Sequence, residues 1–420
     1  MATQAPSVRT LAASSGAIAT VVSDAAQPLV AMSIRIAAGA SCDPPGRSGL
    51  AHVVEHLMFS GTARHMRGEH IRTVQAWGGF VNAKTSADWT KYYHAVTPDL
   101  FGDLLDMERE RFAETPEMMS ACALDDERAV VLNERSQRMD NVGYGQAVET
   151  VVRELCAPST GYHRLPIGTV ADVKATTAED CCDFQARNYT GGRVKVAIAG
   201  QCDFPAMTGK VMALLEAFPA SQSADAGGAP AASPALIRRR LTIEGPRKTK
   251  VYLGVRLPAE RTWEFELARF ASFYLSRGTS ALLPDSLVRR QGVASAVAAK
   301  TMGREFGPSI GVIEIMPAQS GDCEHTIAAV DAVIARALAC DLDSAALERT
   351  RAMYRSAWLT DDDSVIRRTD ALSLSMQLTG TADAYFEHDA KIRSLTAADL
   401  KTGLEYWHQP GARIELLCAR

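Results

Sequence analysis

Two stretches of the sequence alternate apolar and polar residues in the way that is typical of β-strands. They are residues 29–38 (LVAMSIRIAA) and residues 250–257 (KVYLGVRL). A period of two predicts a strand with one buried face in each stretch. After each strand the sequence predicts a helix, over residues 48–60 and 264–276. Strands separated by long helices favour an α+β fold with a sheet in each half of the chain.

A second pair of segments indicates an internal repeat. Residues 177–180 (TAED) are followed by a strand-like run at 193–198 (RVKVAI), and residues 396–399 (TAAD) are followed by one at 413–417 (RIELL). Each pair is typical of a capped helix that runs through a glycine-containing turn into a strand. Because the same order recurs near the end of the chain, the sequence predicts two homologous domains.

A segment of small and polar residues separates the two halves. Residues 221–234 (SQSADAGGAPAASP) have no apolar periodicity and are typical of a linker, since they cannot bury enough surface to offset the entropy of ordering. We therefore predict a first domain over residues 1–220, a linker over 221–236 and a second domain over 237–420.

The composition is that of an ordinary globular chain and excludes several classes of protein. Of the 420 residues, 47% are hydrophobic and 22% are charged, which is enough for two cores, and the net charge is −4. This charge argues against nucleic acid or an anionic membrane as the partner. The nine scattered cysteines contain no Cys-x-x-Cys pair and predict neither a disulfide framework nor a cysteine zinc site.

The sequence leaves the compartment open. No apolar run approaches the roughly 20 residues that span a bilayer. The first ten residues lack the pattern of a signal peptide. We expect a soluble protein of the cytoplasm, or of the bacterial periplasm if a signal peptide has been removed.

His52, Glu55 and His56 form the strongest chemical motif, HVVEH. On a helix, two histidines four residues apart share one face, so both imidazoles can reach one zinc ion at roughly 2.0–2.1 Å. Glu55 is placed to contact a water molecule on the metal and to act as a base, and the order is that of the inverted zincin motif. The alternative is a pair of surface or core histidines beside a solvated glutamate.

A catalytic zinc needs a third protein ligand. The helix-like stretch at 125–139 places Glu127 and Glu134 seven positions apart and therefore on one face, with Val130 and Val131 predicted to face inward. Glu134 is the best candidate for the ligand, and Glu127 for a carboxylate that holds a histidine N–H. Alone, the two glutamates could equally form a solvated charged face. The other histidines lack ligand spacing and are predicted to be surface or core residues: His65, His70, His94, His163, His325, His388 and His408.

Residues 49–62 (GLAHVVEHLMFSGT) strongly resemble the opening motif of the pitrilysin/insulinase/mitochondrial processing peptidase family. The likeness continues through residues 77–86 (WGGFVNAKTS), 127–134 and 166–169 (PIGT), and weakly into the second half. The resemblance implies an α+β chain of two homologous domains. Each domain would be a mostly antiparallel sheet packed with helices, and together they would form half of a clamshell.

The resemblance also implies a zinc metalloendopeptidase that hydrolyses unstructured peptides through a zinc-activated water, with Glu55 as general base. The family's third zinc ligand corresponds to Glu134, and its supporting glutamate to Glu127. Asn82 and Ala83 resemble the edge strand on which the family binds its peptide, which fits the free backbone groups of a sheet edge. The alternative for Asn82 is a turn residue.

The chain departs from the family in its second half. Family members place an Arg and a Tyr there that reach the substrate, and Ala281 and Ser295 stand at these positions. We therefore expect a heterodimer with a homologous subunit that carries the Arg and the Tyr, with a homodimer as the alternative. Two other functions stay open: a non-catalytic scaffold or core subunit of a larger complex, and a metal-binding module without hydrolysis.

Overall fold

The structure, a computed structural model, describes residues 7–113, 119–220, 235–242, 248–319 and 322–419. Most of the predicted linker, residues 221–234, lies outside the described residues. Within the described part the strands form two sheets. The strands are β1 Ser7–Ala12, β2 Ile18–Ser23, β3 Val30–Ile36, β4 Phe80–Thr85, β5 Thr90–Val96, β6 Val194–Gly200, β7 Ile237–Thr242, β8 Lys250–Leu257, β9 Ala294–Met302, β10 Ser309–Pro317 and β11 Ile414–Ala419.

The helices of the described residues lie between these strands. They are α1 Leu50–Leu57, α2 Glu69–Ala76, α3 Phe101–Ala113, α4 Ala121–Arg135, α5 Gly145–Leu155, α6 Val170–Ala175, α7 Ala178–Asn188, α8 Phe204–Glu216, α9 Trp263–Ser276, α10 Cys323–Ala339, α11 Ser344–Asp363, α12 Val365–Thr379, α13 Asp383–Ser394 and α14 Ala397–Trp407. The described residues also contain two π-helical segments, Ser136–Asp140 and Pro284–Arg290. In the described part, no helix is both long and apolar enough to cross a bilayer.

The two sheets repeat one topology. The first has the order β1-β2-β6-β3-β5-β4 and the second the order β7-β11-β8-β10-β9. In each, one parallel pair (β2 with β6, β7 with β11) is followed by antiparallel pairs out to the edge strand, β4 or β9. The predicted capped helices are α7 and α14, each opened by a reciprocal Thr–Asp capping box. The α+β class and the two homologous domains are confirmed.

Strand β3 is buried on both faces, whereas its alternation predicted one buried face. Val30, Met32 and the two isoleucines belong to the main core. Ala31, Ser33 and Arg35 point to the opposite face, where helix α12 packs on β3, β5 and β6. Because α12 is some 330 positions further along the chain, the local pattern around β3 carried no sign of this cover.

The chain forms two compact units, and each unit is built from three separate segments of the sequence. The first comprises residues 1–134, 164–226 and 360–386, and the second residues 135–163, 227–359 and 387–420. Helix α5 therefore packs on β8 and β11 of the second sheet, although it precedes the predicted linker. Gly254 allows this approach, since a Cβ there would lie 2.5 Å from Val151 and 2.7 Å from Ile414. A single cut in the sequence does not separate the two units.

Candidate metal centre

Helix α1 carries the HVVEH motif and is fixed at its first turn. Gly49 precedes the helix with φ +93°, a left-handed conformation that favours glycine. The buried carboxylate of Asp43 accepts hydrogen bonds from the backbone N–H groups of Gly49 (2.7 Å) and Ala51 (2.8 Å). Burial outweighs these bonds and raises the pKa of Asp43 to about 7. Asp43 therefore supplies the cap that the helix lacks at Gly49.

The histidines and the glutamate of the motif share the inner part of the site. His52 and Glu55 are buried and His56 is half-buried, while the apolar residues of α1 enter the main core. The rings of His52 and His56 lie 4.8 Å apart, centre to centre, nearly at right angles. One turn of helix thus presents two imidazoles to the same point, as the spacing predicted.

Glu134, at the end of α4, reaches both histidines. Its Oε2 lies 3.7 Å from His52 Nε2 and 3.6 Å from His56 Nε2. These separations are too long for hydrogen bonds, but ligands at 2.0–2.1 Å from a tetrahedral zinc are themselves about 3.4 Å apart. All three ligand atoms lie within 4.8 Å of one another. The donor set, two imidazoles and a carboxylate, fits zinc.

Glu127 and Arg67 extend the site outward from His56. The Nδ1 of His56 lies 3.3 Å from Glu127 Oε2, and Arg67 donates to Glu127 Oε1 at 2.6 Å. Burial of Glu127 is outweighed by these two donors, which hold its pKa below the usual range. The contact with Glu127 leaves Nε2 of His56 pointing to Glu134, so the outer carboxylate fixes which ring nitrogen is offered to a metal.

The pKa of His56 is shifted well away from its ordinary value. Burial lowers its pKa, but the carboxylates of Glu127 and Glu134 outweigh burial and raise it to about 9. In the metal-free protein His56 therefore carries a proton at neutral pH, and a metal ion must displace that proton to bind.

Thr85, which the sequence reasoning missed, contacts Glu55. Its hydroxyl donates a hydrogen bond to Glu55 Oε2, and both residues are buried. Thr85 ends β4, and it is the buried residue of a strand whose Phe80, Asn82 and Lys84 are exposed. Thr85 continues the inward-facing positions Val81 and Ala83, and a polar residue at an inward position is a signal in the sequence that could have singled it out.

Asn82 and Ala83 lie on β4, at the edge of the first sheet, and not in a turn. They face Tyr93 and Tyr92 of β5, and the side-chain Oδ1 of Asn82 accepts a hydrogen bond from the N–H of Ala83 at 2.8 Å. Their contact with a substrate stays a prediction.

Three other predicted positions lie elsewhere. Val130 is 45% exposed, so the prediction that it faces inward is wrong, because α4 turns Leu124 and Val131 into the core and Val130 to the surface. Ala281 is buried in the second unit. Ser295 is exposed on β9, where its hydroxyl donates to the carbonyl of Met316 at 3.2 Å.

A second cluster of the same composition lies in the core of the same unit. His70 of α2, His94 of β5 and Glu108 of α3 place their ligand atoms within 4.8 Å of one another, and all three are buried. His70 Nε2 donates to Glu108 Oε1 at 2.6 Å, and His94 Nε2 lies 3.4 Å from that oxygen. Arg111 also pairs with both oxygens of Glu108. No local spacing in the sequence points to this cluster.

Comparison with known proteins gives two family matches and several relatives. The profile of "Insulinase (Peptidase family M16)" matches residues 19–155, and that of "Peptidase M16 inactive domain" matches residues 175–354. An uncharacterized zinc protease of Mycobacterium leprae is 30% identical over 263 residues, which cover 60% of this chain and 56% of that protein. The mitochondrial-processing peptidase subunit beta of Dictyostelium discoideum is 25% identical over 176 residues, covering 41% of this chain and 36% of its own. The matches thus span about half the length of these relatives, or less.

Among solved structures, a protease from Helicobacter pylori has the same fold. It superimposes with a TM-score of 0.89 over 99% of this chain and 100% of its own, at 19% sequence identity. At this identity the likeness establishes the architecture alone.

Proposed function

Since the chain belongs to the insulinase family of peptidases, family M16, we propose that it is a zinc metalloendopeptidase subunit. The observation that supports this most directly is the convergence of His52, His56 and Glu134, whose ligand atoms lie within 4.8 Å of one another. The matched relatives named zinc proteases support the same metal and the same class of reaction.

In this proposal His52, His56 and Glu134 hold the zinc. When bound, zinc supplies Lewis acidity, which lowers the pKa of a water molecule and polarises the scissile carbonyl. Glu55 takes a proton from the attacking water and returns it to the leaving amine. Glu127 holds the Nδ1 of His56, so that Nε2 is the ring nitrogen oriented toward the metal.

The substrate would be an extended peptide that adds to β4. Asn82 and Ala83 belong to the outermost strand of the first sheet, whose backbone is open to pairing on one side. Pairing through the backbone depends on an extended, accessible peptide chain more than on its side chains. We therefore expect flexible peptides to be cleaved and folded proteins to be left intact.

We also propose a homologous partner subunit. Ala281 and Ser295 stand where the family's Arg and Tyr would be, and neither carries a guanidinium or a phenol group. A homologue that carries both residues would complete the site as a heterodimer. The relative from Dictyostelium is itself named as a subunit.

Glu55→Gln tests the hydrolase proposal. The amide keeps the size of the side chain but cannot take a proton, so we expect the variant to retain zinc and to lose peptidase turnover by about 10³-fold or more. Zinc is measured by elemental analysis and turnover with an unstructured fluorogenic peptide. The exposed Glu387→Gln is the matched control and should change neither quantity.

The partner is tested by mixing. Adding a homologous subunit that carries the Arg and the Tyr should raise turnover at least tenfold over the chain alone. Full activity of the chain by itself contradicts the heterodimer. A chain that holds zinc and cleaves nothing, with or without a partner, favours the scaffold function, for which the loss of the Arg and Tyr positions is the supporting observation.

A further inference from the structure

Thr85 links the edge strand to the proposed base. It is the last residue of β4 and only 9% exposed, and its hydroxyl donates to Oε2 of Glu55 on α1. Its second neighbour is Thr90 of β5, whose Oγ1 lies 3.5 Å away. Thr90 in turn donates to the backbone carbonyl of Ala38 at 2.9 Å. A buried chain of hydroxyl groups thus ends at the carboxylate.

Counting protons fixes the direction of this chain. Each threonine hydroxyl has one proton to donate. The hydroxyl of Thr90 donates its proton to the Ala38 carbonyl, so it can only accept a hydrogen bond from Thr85. An ionised carboxylate only accepts, so the proton of Thr85 goes to Glu55, with Thr90 as a weak second acceptor at 3.5 Å. The hydroxyl of Thr85 therefore has one favoured orientation.

We propose that Thr85 is a positioning residue for hydrolysis, which fixes the Glu55 carboxylate relative to the strand that holds the substrate. This inference rests on the proposed function. A peptide paired with β4 would lie on the same strand as Thr85, and the Thr85 hydroxyl holds Oε2 of the proposed base, Glu55. The position of the scissile bond and the position of the base are then set by the same strand.

The consequence for catalysis is a loss of rate without a loss of binding. Hydrogen bonds to charged groups are stronger than neutral ones, and small displacements of a catalytic group can cost as much as 10²-fold in rate. Substrate would pair with backbone groups of β4, which a change of the Thr85 side chain leaves in place. A purely structural role would instead lower stability and affect all kinetic constants together.

The test compares three variants of the full chain, assayed under the conditions in which the wild type is active. Thr85→Val keeps the shape and removes the hydroxyl, Thr85→Ser restores the hydroxyl, and Thr90→Val removes the neighbouring hydroxyl that does not touch Glu55. We expect Thr85→Val to lower kcat about 10–100-fold with KM and zinc content unchanged. Thr85→Ser should recover most of the rate, and Thr90→Val should stay close to the wild type in kcat.

A second measurement needs no metal and no turnover. In chelator-treated protein, Thr85→Val should lower the urea midpoint of the wild type, because it leaves Glu55 without this donor. In a Glu55→Ala background the same change should have no destabilising effect, since the hydroxyl has already lost its acceptor. Equal effects in both backgrounds would show that the hydrogen bond is not formed.

The two proposals fail in different ways. Unchanged kcat in Thr85→Val, or an equal loss in Thr90→Val, overturns the role of Thr85 and leaves the hydrolase intact. A wild-type chain that holds zinc and cleaves no peptide, either alone or mixed with the homologous partner subunit, contradicts the hydrolase itself.

Discussion

The first unit contains two clusters of two histidines and one glutamate, and they differ in how far their polar atoms stand apart. In the candidate metal centre, Glu134 lies 3.6–3.7 Å from the two imidazoles. In the core cluster, Glu108 lies 2.6 Å from His70 and 3.4 Å from His94. The first spacing leaves room for an ion between the donors, while the 2.6 Å contact of the second is a direct hydrogen bond.

The two clusters differ in which carboxylate is paired with an arginine. Arg111 pairs with both oxygens of Glu108, so the charge of that buried carboxylate is already balanced. In the metal centre, Arg67 pairs with the outer Glu127. Three matching residue types therefore form either a cluster that could hold a metal ion or a buried ion pair, depending on which carboxylate a permanent cation reaches.

The largest expected effect is on metal content. We predict that His52→Ala reduces bound zinc from one ion per chain to background, because two ligands do not hold the ion. The matched change in the core cluster, His94→Ala, should leave one ion bound. Elemental analysis of the folded variants measures both. Two zinc ions in the wild type, one of them lost in His94→Ala, would make the core cluster a second metal site.

The next effect is on stability. Glu108→Gln should cost about 3–5 kcal/mol of unfolding free energy, because it leaves Arg111 as a buried charge without its counter-ion. In metal-free protein Glu134→Gln should cost less, because the histidines lie 3.6–3.7 Å from Glu134 and its side chain is 18% exposed, whereas Glu108 is fully buried. Urea denaturation in the presence of a chelator measures the two changes side by side. Similar losses in both variants would contradict the distinction between the clusters.

The smallest effect, about 1.4 kcal/mol per pH unit at most for each group, is on the pH dependence of stability. The pKa of His56 is raised to about 9 in the folded protein. Its contribution to the free energy of unfolding is therefore complete below pH 6.5 and is lost as the pH rises toward 9. Burial lowers the pKa of His94 to about 3, so the unfolded chain binds the extra proton and stability falls as pH drops below 6.5.

Denaturation of metal-free protein across pH 5–9 measures these slopes. His56→Gln should reduce the slope of unfolding free energy against pH on the alkaline side alone. His94→Gln should reduce that slope on the acidic side alone. A change on the opposite side in either variant would show that another group carries the slope.

The metal motif was predictable because helical geometry is local. His52 and His56 are one turn apart, and no tertiary structure is needed to place them together. Glu134 and Glu127 came from the family resemblance, since spacing alone could not distinguish them from a solvated face. The strand boundaries also followed closely, with 250–257 predicted and Lys250–Leu257 observed.

The remaining features depend on contacts between distant segments. His70, His94 and Glu108 come from three elements, and no pattern of two or 3.6 residues connects them. The bond from Thr85 to Glu55 depends on how β4 ends against α1. The exchange of segments between units is decided by which sheet face lacks a cover, a property of the folded sheet and not of any window of sequence.

That exchange has a consequence for synthesis on the ribosome. Strands β3, β5 and β6 are complete by residue 200, yet helix α12, which covers their outer face, ends at Thr379. A nascent chain must therefore carry an uncovered apolar sheet face, including Ala31, Ala95 and Ala199, until residue 379 has emerged. The first predicted domain should consequently aggregate when expressed alone as residues 1–220, and the candidate metal centre should mature only after helix α12 has been synthesised.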